Sequence, residues 1–261
     1  MNSAPSFAFA SPVPAESVAA ILREFTAHPN YEYAWDNYKP IIFRLIAAIR
    51  PAAVLEIGGG RFPAFTAEEV AATRIRYAIN DISQRELDLA PGYVDKICFD
   101  IASPNSPVVE ANRDTYGFVF SKMVFEHVAN AGLAYSNIFK MLKPAGICLN
   151  FHPVLYSPPF VANKLLPETL AAQLLRMINP LRRDDGIPKF PAYYDRCVIN
   201  RRSYDALKAI GFSEVHQFPF YGHNYFVKIP GLRELDDALT KFARCKNMRS
   251  LASYAFTLCV K

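Results

Sequence analysis

Three glycines and two acids, spread over the first hundred residues, are the side chains best suited to chemistry. Gly58, Gly59 and Gly60 close the short apolar run AAVLEI at 52–57. Glycines there let the backbone turn tightly and let a ligand approach where a Cβ would stand, and the helix start that follows offers free amide donors. Asp81 ends IRYAIND (75–81), about twenty residues on, where a carboxylate can accept both hydroxyls of a ribose. Asp100 ends VDKICFD (94–100) and is placed to take the amino group of an adenine. Together these residues describe a nucleoside lying across three strands. Each also has a plain reading, since such a turn can be purely structural and either aspartate can cap a helix.

A second group follows the later strands. Ser121 ends GFVFS (117–121), and His152 follows GICLNF (146–151), where it is expected to face the mouth. An imidazole titrates near neutral pH, so His152 is the candidate for removing a proton, with a structural role before Pro153 as the competing reading. Glu126 and His127 lie in MVFEHV, at the start of a helix expected over about 124–142. Tyr156, Tyr193, Tyr194, Tyr221 and His223 flank irregular segments and are candidates for an acceptor pocket, although tyrosines at such places often only pack. Arg182 and Arg183 are candidates to hold a carboxylate or phosphate on that acceptor.

The elements that must position these residues can be read from periodicity. Residues 15–28 and 36–49 carry apolar residues at helical spacing and form an N-terminal helical appendage, 1–50. From 51 to 153, five short apolar runs alternate with helical or loop segments. Parallel strands need crossover connections, so this alternation implies an α/β core with a sheet covered on both faces. Seven prolines between 152 and 200 break the rhythm, and 154–202 is read as an inserted cap. The pattern resumes over 203–261 with RSYDALKAIG, a strand near 213–220, a second insertion near 222–248 and a closing strand LASYAFTLCVK.

Composition narrows the classes. With 261 residues, 51% apolar and 20% charged, the chain can bury a sizeable core and suits one large domain carrying insertions. Five scattered cysteines include no CxxC pair and the five histidines no HExxH, so neither a disulfide framework nor a metal site is indicated, and a reducing cytoplasmic setting fits. The first lysine or arginine is Arg23, which leaves the apolar start without the basic region of a secretory signal, and no uncharged apolar run is long enough to span a bilayer. The net charge of +5 is concentrated after residue 170. That bias suits an anionic partner or a merely solvated face.

The blocks VLEIGGGRFP, YAINDIS, ICFDI, FVFSKMVFEHV and IFKMLKPAGICLNF, in this order and spacing, resemble the class I S-adenosylmethionine-dependent methyltransferases. The resemblance covers about residues 52–153, and the closing LASYAFTLCVK looks like that family's last strand. It implies a doubly wound, mostly parallel seven-stranded Rossmann-like sheet with an antiparallel last strand, and S-adenosylmethionine as cofactor. It also implies cofactor contact from Gly58, Gly59 and Gly60, with Glu56 bracing the turn near the methionine end. Asp81 and Ile82 would lie at the ribose, Asp100 and Ile101 at the adenine, and Ser121 beside them. One position departs from the family's ExGxGxG: the third glycine is replaced by Phe62, followed by Pro63. Phe62 is expected either to pack on the cofactor or to plug the helix entry.

Rival signals are weaker. SPPF at 157–160 matches the [DNS]PP[FYW] of nucleic-acid amino-methyltransferases but follows the fifth strand, not the fourth. Tyr204 and Lys208 make the YxxxK of short-chain dehydrogenases without the dinucleotide turn. The expectation is a methyltransferase acting on a hydroxyl or amine of a small metabolite, with a sugar or an anionic intermediate as the leading acceptor classes. A nucleic-acid (RNA) methyltransferase and a non-catalytic nucleoside-binding scaffold are the alternatives. The sequence gives no oligomeric state.

Overall fold

The computed structural model describes residues 17–165 and 190–261. Seven strands form one sheet in the order β3-β2-β1-β4-β5-β7-β6. They are β1 Ala53–Ile57, β2 Arg76–Asp81, β3 Asp95–Cys98, β4 Tyr116–Lys122, β5 Leu142–Pro153, β6 Glu214–Phe220 and β7 Tyr254–Val260. Pairing is parallel from β3 through β5, and β7 runs antiparallel between β5 and β6. This is the sheet expected from the sequence. β1 is buried at all five positions, as a parallel strand covered on both faces must be.

Helices α1 (Val18–Ala27), α2 (Tyr31–Asp36) and α3 (Tyr38–Ile49) precede β1. Their inner faces join the main core. Phe25 on α1 meets Phe256 and Phe218 at ring separations of 5.0 and 5.1 Å, and Trp35 and Tyr38 pack on Phe151 of β5. Burying a phenylalanine such as Phe25 contributes about 2–3 kcal/mol. The helix expected over 36–49 begins two residues later, at Tyr38, because Asp36 ends α2 and Asn37 between the two helices donates its side-chain amide back to the Tyr33 carbonyl.

Between strands lie α4 (Ala67–Thr73), α5 (Gln84–Asp88), α6 (Pro107–Ala111) and α7 (Ala131–Met141). Thr66 and Glu69 form a reciprocal capping box at the start of α4, which fixes how the chain leaves the glycine turn. The continuous helix expected over 124–142 is not continuous. A single 3-10 turn, Phe125–His127, is followed by a break, and α7 starts afresh at Asn130, whose side chain takes the Leu133 amide at 3.0 Å. That break frees Glu126 and His127 from a helical wall.

After β5 come α8 (Pro158–Leu165), α9 (Arg201–Ile210) and α10 (Leu232–Cys245). The helix-like run 168–178, and with it Arg182 and Arg183, lies outside the described residues. β6 is an edge strand closed in two ways. Pro219 has no N–H to offer, and the Arg249 guanidinium donates to the carbonyl of Gln217 on the same free side. Among the described residues no helix is long and apolar enough to cross a membrane.

Candidate functional site

The carboxyl ends of β1 and β2 make the first half of the site. Gly58 and Gly60 have φ of +74° and +47°. A Cβ on Gly58 would stand 2.4 Å from Cγ2 of Val124, and one on Gly60 would stand 3.1 Å from the Asp81 carboxylate. Both the backbone twist and the close approach therefore require glycine. The Gly58 and Gly59 amides both donate to the Asn80 carbonyl, which ties the turn to β2.

Glu56 braces this turn from below. It is buried, and its Oε2 accepts the Ala64 amide at 2.9 Å and the Tyr77 hydroxyl. Burial pushes its pKa up to about 7, against the pull of those two donors. Asp81 is half-buried beside Gly60, with Oδ1 accepting the Ser83 amide at 2.8 Å. Desolvation raises its pKa above the ordinary aspartate value. Next to it, Arg61 and Glu86 form a two-pronged ion pair with both contacts at 2.5 Å.

Ile82 is exposed at this rim, whereas Ile101 is buried. Asp100 is exposed, and its Oδ1 takes the Ala102 amide. Asn137 of α7 donates to the Ile101 and Ser103 carbonyls and so fixes the loop after β3. Phe62 does not plug the helix entry: its ring is 75% exposed at the rim. Phe65 is the plug, fully buried against Phe43, Tyr77 and Phe120, and the sequence reading missed it. An aromatic residue three positions past Phe62 was the available signal.

The second half lies over the ends of β4, β5 and β7. The Ser121 side chain does not reach the mouth, because its hydroxyl is buried and donates to Asn150 Oδ1 at 2.8 Å. His152 is likewise placed otherwise than expected. Its ring is 1% exposed, with Nε2 at 2.9 Å from the Thr257 hydroxyl and Nδ1 at 3.0 Å from the Pro153 carbonyl. Burial depresses its pKa to about 4. A neutral imidazole shut inside the fold, with both nitrogens engaged, is poorly placed to meet an acceptor. A residue two positions past an interior strand residue keeps that residue's face, and the alternation from Asn150 carries His152 inward.

What does gather here is an arc of aromatic contacts: Tyr38 to Phe151, Phe151 to Tyr254, Tyr254 to Phe160, and Phe160 to Tyr194, at ring separations of 5.5–6.2 Å. Trp35 closes on Tyr254 at 5.5 Å. At one end the Lys122 ammonium stands 4.5 Å from the Trp35 ring and 5.1 Å from the Tyr38 ring. Burial lowers its pKa, and among the described residues it has no carboxylate partner. The Tyr38 hydroxyl is buried without a hydrogen-bond partner among the described residues. At the other end is Glu126, buried, with its carbonyl accepting the amides of Tyr193 and Tyr194 at 2.7 and 3.1 Å. Its Oε2 has no hydrogen-bond partner among the described residues, and burial raises its pKa to about 7. His127 is partly exposed, with Nδ1 at 2.9 Å from the Pro191 carbonyl and Nε2 at 3.9 Å from Glu126 Oε1.

The remaining candidates divide. Tyr156 and Tyr193 are exposed, while Tyr194 is buried and its hydroxyl takes the Asn163 amide at 3.0 Å. Tyr221 is buried at the end of β6. His223 is buried against Asp236 of α10 at 3.2 Å, and its Nδ1 accepts the Tyr225 amide. It therefore anchors the second irregular segment to α10. Lys122, Trp35, Tyr38 and Tyr254 escaped the sequence reading, because nothing in their spacing shows that α2, β4 and β7 meet. A separate cavity of about 700 Å³ opens along the β6 edge, lined by Phe25, Tyr204, Phe218, Tyr221, Arg244 and Arg249 among others.

Comparison with known proteins gives the fold a context. No family model matches the sequence, and no curated protein is significantly similar to it. Solved structures do match. An S-adenosylmethionine-dependent methyltransferase from Archaeoglobus fulgidus superposes with a TM-score of 0.51 at 16% identity, over 89% of this chain and 100% of that one. The CMeT domain of the citrinin polyketide synthase does so with a TM-score of 0.50 at 13% identity, over 85% of this chain and 52% of that one. The chain has the Rossmann-like fold of the class I S-adenosylmethionine-dependent methyltransferases.

Proposed function

We propose that this protein is an S-adenosylmethionine-dependent methyltransferase that acts on a hydroxyl or amine of a small, anionic metabolite. The carrying observation is the turn at the end of β1, where two glycines at positive φ bring the backbone so close to Val124 and to the Asp81 carboxylate that neither position accepts a Cβ. The residues present fit the cofactor. Gly58, Gly59 and Gly60 would lie under it, Asp81 would take its ribose hydroxyls, and Asp100 with the loop held by Asn137 would take its adenine edge. Exposed Phe62 and Ile82 would offer apolar surface to its flat parts.

When bound, the cofactor supplies an electrophilic methyl on a sulfonium. The remainder of the task falls to the chain's own residues: to hold the acceptor atom in line, to exclude water and to receive a proton. The aromatic arc from Tyr38 to Tyr194 supports a chamber for an acceptor with apolar surface. Lys122, lacking a carboxylate partner among the described residues, is the counter-charge for a carboxylate or phosphate on it. Helices α1–α3, helix α8 with residues 190–202, and the segment 222–248 would border this acceptor region around the core. A small enclosed acceptor follows from that arrangement in preference to a nucleic acid.

The test is incubation with S-adenosylmethionine labelled on its methyl and fractionated small-molecule metabolites. A single fraction should acquire label, and the labelled compound should be retained by an anion exchanger. Label that appears only in RNA, or in no fraction, would overturn the assignment.

A further inference from the structure

We propose that Glu126 and His127 form a two-step exit for the proton released during methyl transfer, from the buried carboxyl to the partly exposed imidazole and on to water. The inference rests on the methyl-transfer reading and adds the residues that handle the proton. Glu126 is 5% exposed, sits in the 3-10 turn directly after β4 and lies two residues beyond Val124, which packs against Gly58. Its Oε2 is shut away from water with no hydrogen-bond partner among the described residues. An orphaned buried carboxyl oxygen is costly to a fold and needs a donor, which an acceptor O–H or N–H supplies. The Tyr193 and Tyr194 amides clamp its own carbonyl, so the carboxyl is held in place.

A buried base must lose its proton before the next turnover. His127 is built for that. Its Nδ1 faces the Pro191 carbonyl, which can only accept, so the ring proton sits on Nδ1 and Nε2 presents a lone pair. That lone pair is 3.9 Å from Glu126 Oε1, beyond a direct hydrogen bond but within reach after a small side-chain movement or through one water. In the balanced step, the acceptor heteroatom forms a bond to the methyl carbon, the sulfur–methyl bond breaks, and its electron pair stays on sulfur. The acceptor's proton passes to the Glu126 carboxylate, then to His127 Nε2 to give the imidazolium, and the Nε2 proton leaves to solvent while Nδ1 keeps its own against the Pro191 carbonyl. The charged and titratable groups packed around Glu126 are His127, Tyr194, Cys197 and, on the Cys197 side, Lys164 and Asp195.

The experiment uses the full-length protein with labelled S-adenosylmethionine and the fraction that the wild type labels, across pH 5.5–9 (about two units either side of neutral). E126Q should bind S-adenosylhomocysteine within about twofold of the wild type and label about 100-fold more slowly, while E126D recovers part of the rate. H127A should lose about tenfold and regain rate on addition of free imidazole. Equal labelling by E126Q and the wild type at every pH would overturn the proposal, as would a loss in H127A that imidazole does not restore. Failure of the wild type itself to bind cofactor would instead overturn the methyl-transfer reading. A readout without turnover is infrared titration: beyond the band that Glu56 gives in both proteins, the wild type should show a protonated-carboxyl band, absent from E126Q, that disappears as pH rises through neutrality. A band constant across that range would also overturn it.

Discussion

Two buried carboxyls, Glu56 and Glu126, sit at the ends of neighbouring strands and are both driven to hold their protons up to a pH of about 7. Their surroundings differ. Glu56 is satisfied by the Ala64 amide and the Tyr77 hydroxyl, whereas Glu126 keeps one oxygen with no partner among the described residues. The first arrangement is what a brace requires: each donor fixes the turn that Gly58–Gly60 makes. The second leaves a valence for something that arrives and departs. The same contrast runs through the two halves of the site, a well-bonded turn over β1 and β2 and a packed aromatic arc over β4, β5 and β7, near which the Tyr38 hydroxyl and one Glu126 oxygen have no hydrogen-bond partner among the described residues.

The largest expected effect that would break this division is in the cradle. G58V places side-chain atoms where a single Cβ already comes within 2.4 Å of Val124, at a φ that a β-branched residue does not accept. Cofactor binding by calorimetry should vanish, with circular dichroism checking that the sheet survives. Next is stability. E56Q should cost about 1–3 kcal/mol in urea titrations near neutral pH, since the amide mispairs with the Ala64 N–H and the Tyr77 hydroxyl.

E126Q should behave in the opposite sense. The folded pKa of Glu126 lies above its ordinary value of 4.5, so native Glu126 holds a proton that the unfolded chain has released, and the stability it contributes falls as pH rises from about 4.5 to about 7. E126Q removes that loss, so its melting temperature should gain on the wild type across this window and run parallel to it outside. Glu56 is raised to about 7 as well, so E56Q removes the same pH-dependent loss and the two variants part only in the level of stability at a given pH; an equal cost in E56Q and E126Q at one pH would erase the distinction between them. His152 works in reverse. With its pKa depressed from 6.5 to about 4, the unfolded state binds a proton that the native state refuses, and stability falls as pH drops through that interval. H152Q should flatten this acid limb while leaving cofactor affinity unchanged.

The smallest effect sharpens the chamber. K122M should raise the KM for an anionic acceptor about tenfold with little change in kcat, as expected for a charge that binds the substrate and the transition state alike. A drop in kcat at constant KM would move Lys122 into the chemistry.

The sheet and the cradle were legible because both depend on local signals. Apolar runs of strand length, the glycines that close one of them, and acids at successive strand ends are all properties of short segments. The chamber was not, because it is made by non-local packing: Trp35 of α2, Lys122 of β4 and Tyr254 of β7 meet only once the antiparallel last strand has been inserted beside β5. His152 shows the limit from the other side. It was read as following the strand, whereas β5 runs on to Pro153 with His152 paired to Ala255, and its direction depends on the register of β5 against β7, where Thr257 receives it.

The central claim is that the turn after β1 and the acid after β2 hold S-adenosylmethionine, and calorimetric titration of the wild type and D81A with S-adenosylhomocysteine tests it most directly. The wild type should bind one equivalent, and D81A should lose about 100-fold or more, as expected for two charge-assisted hydrogen bonds. No heat with the wild type, or equal affinity in D81A, would contradict it.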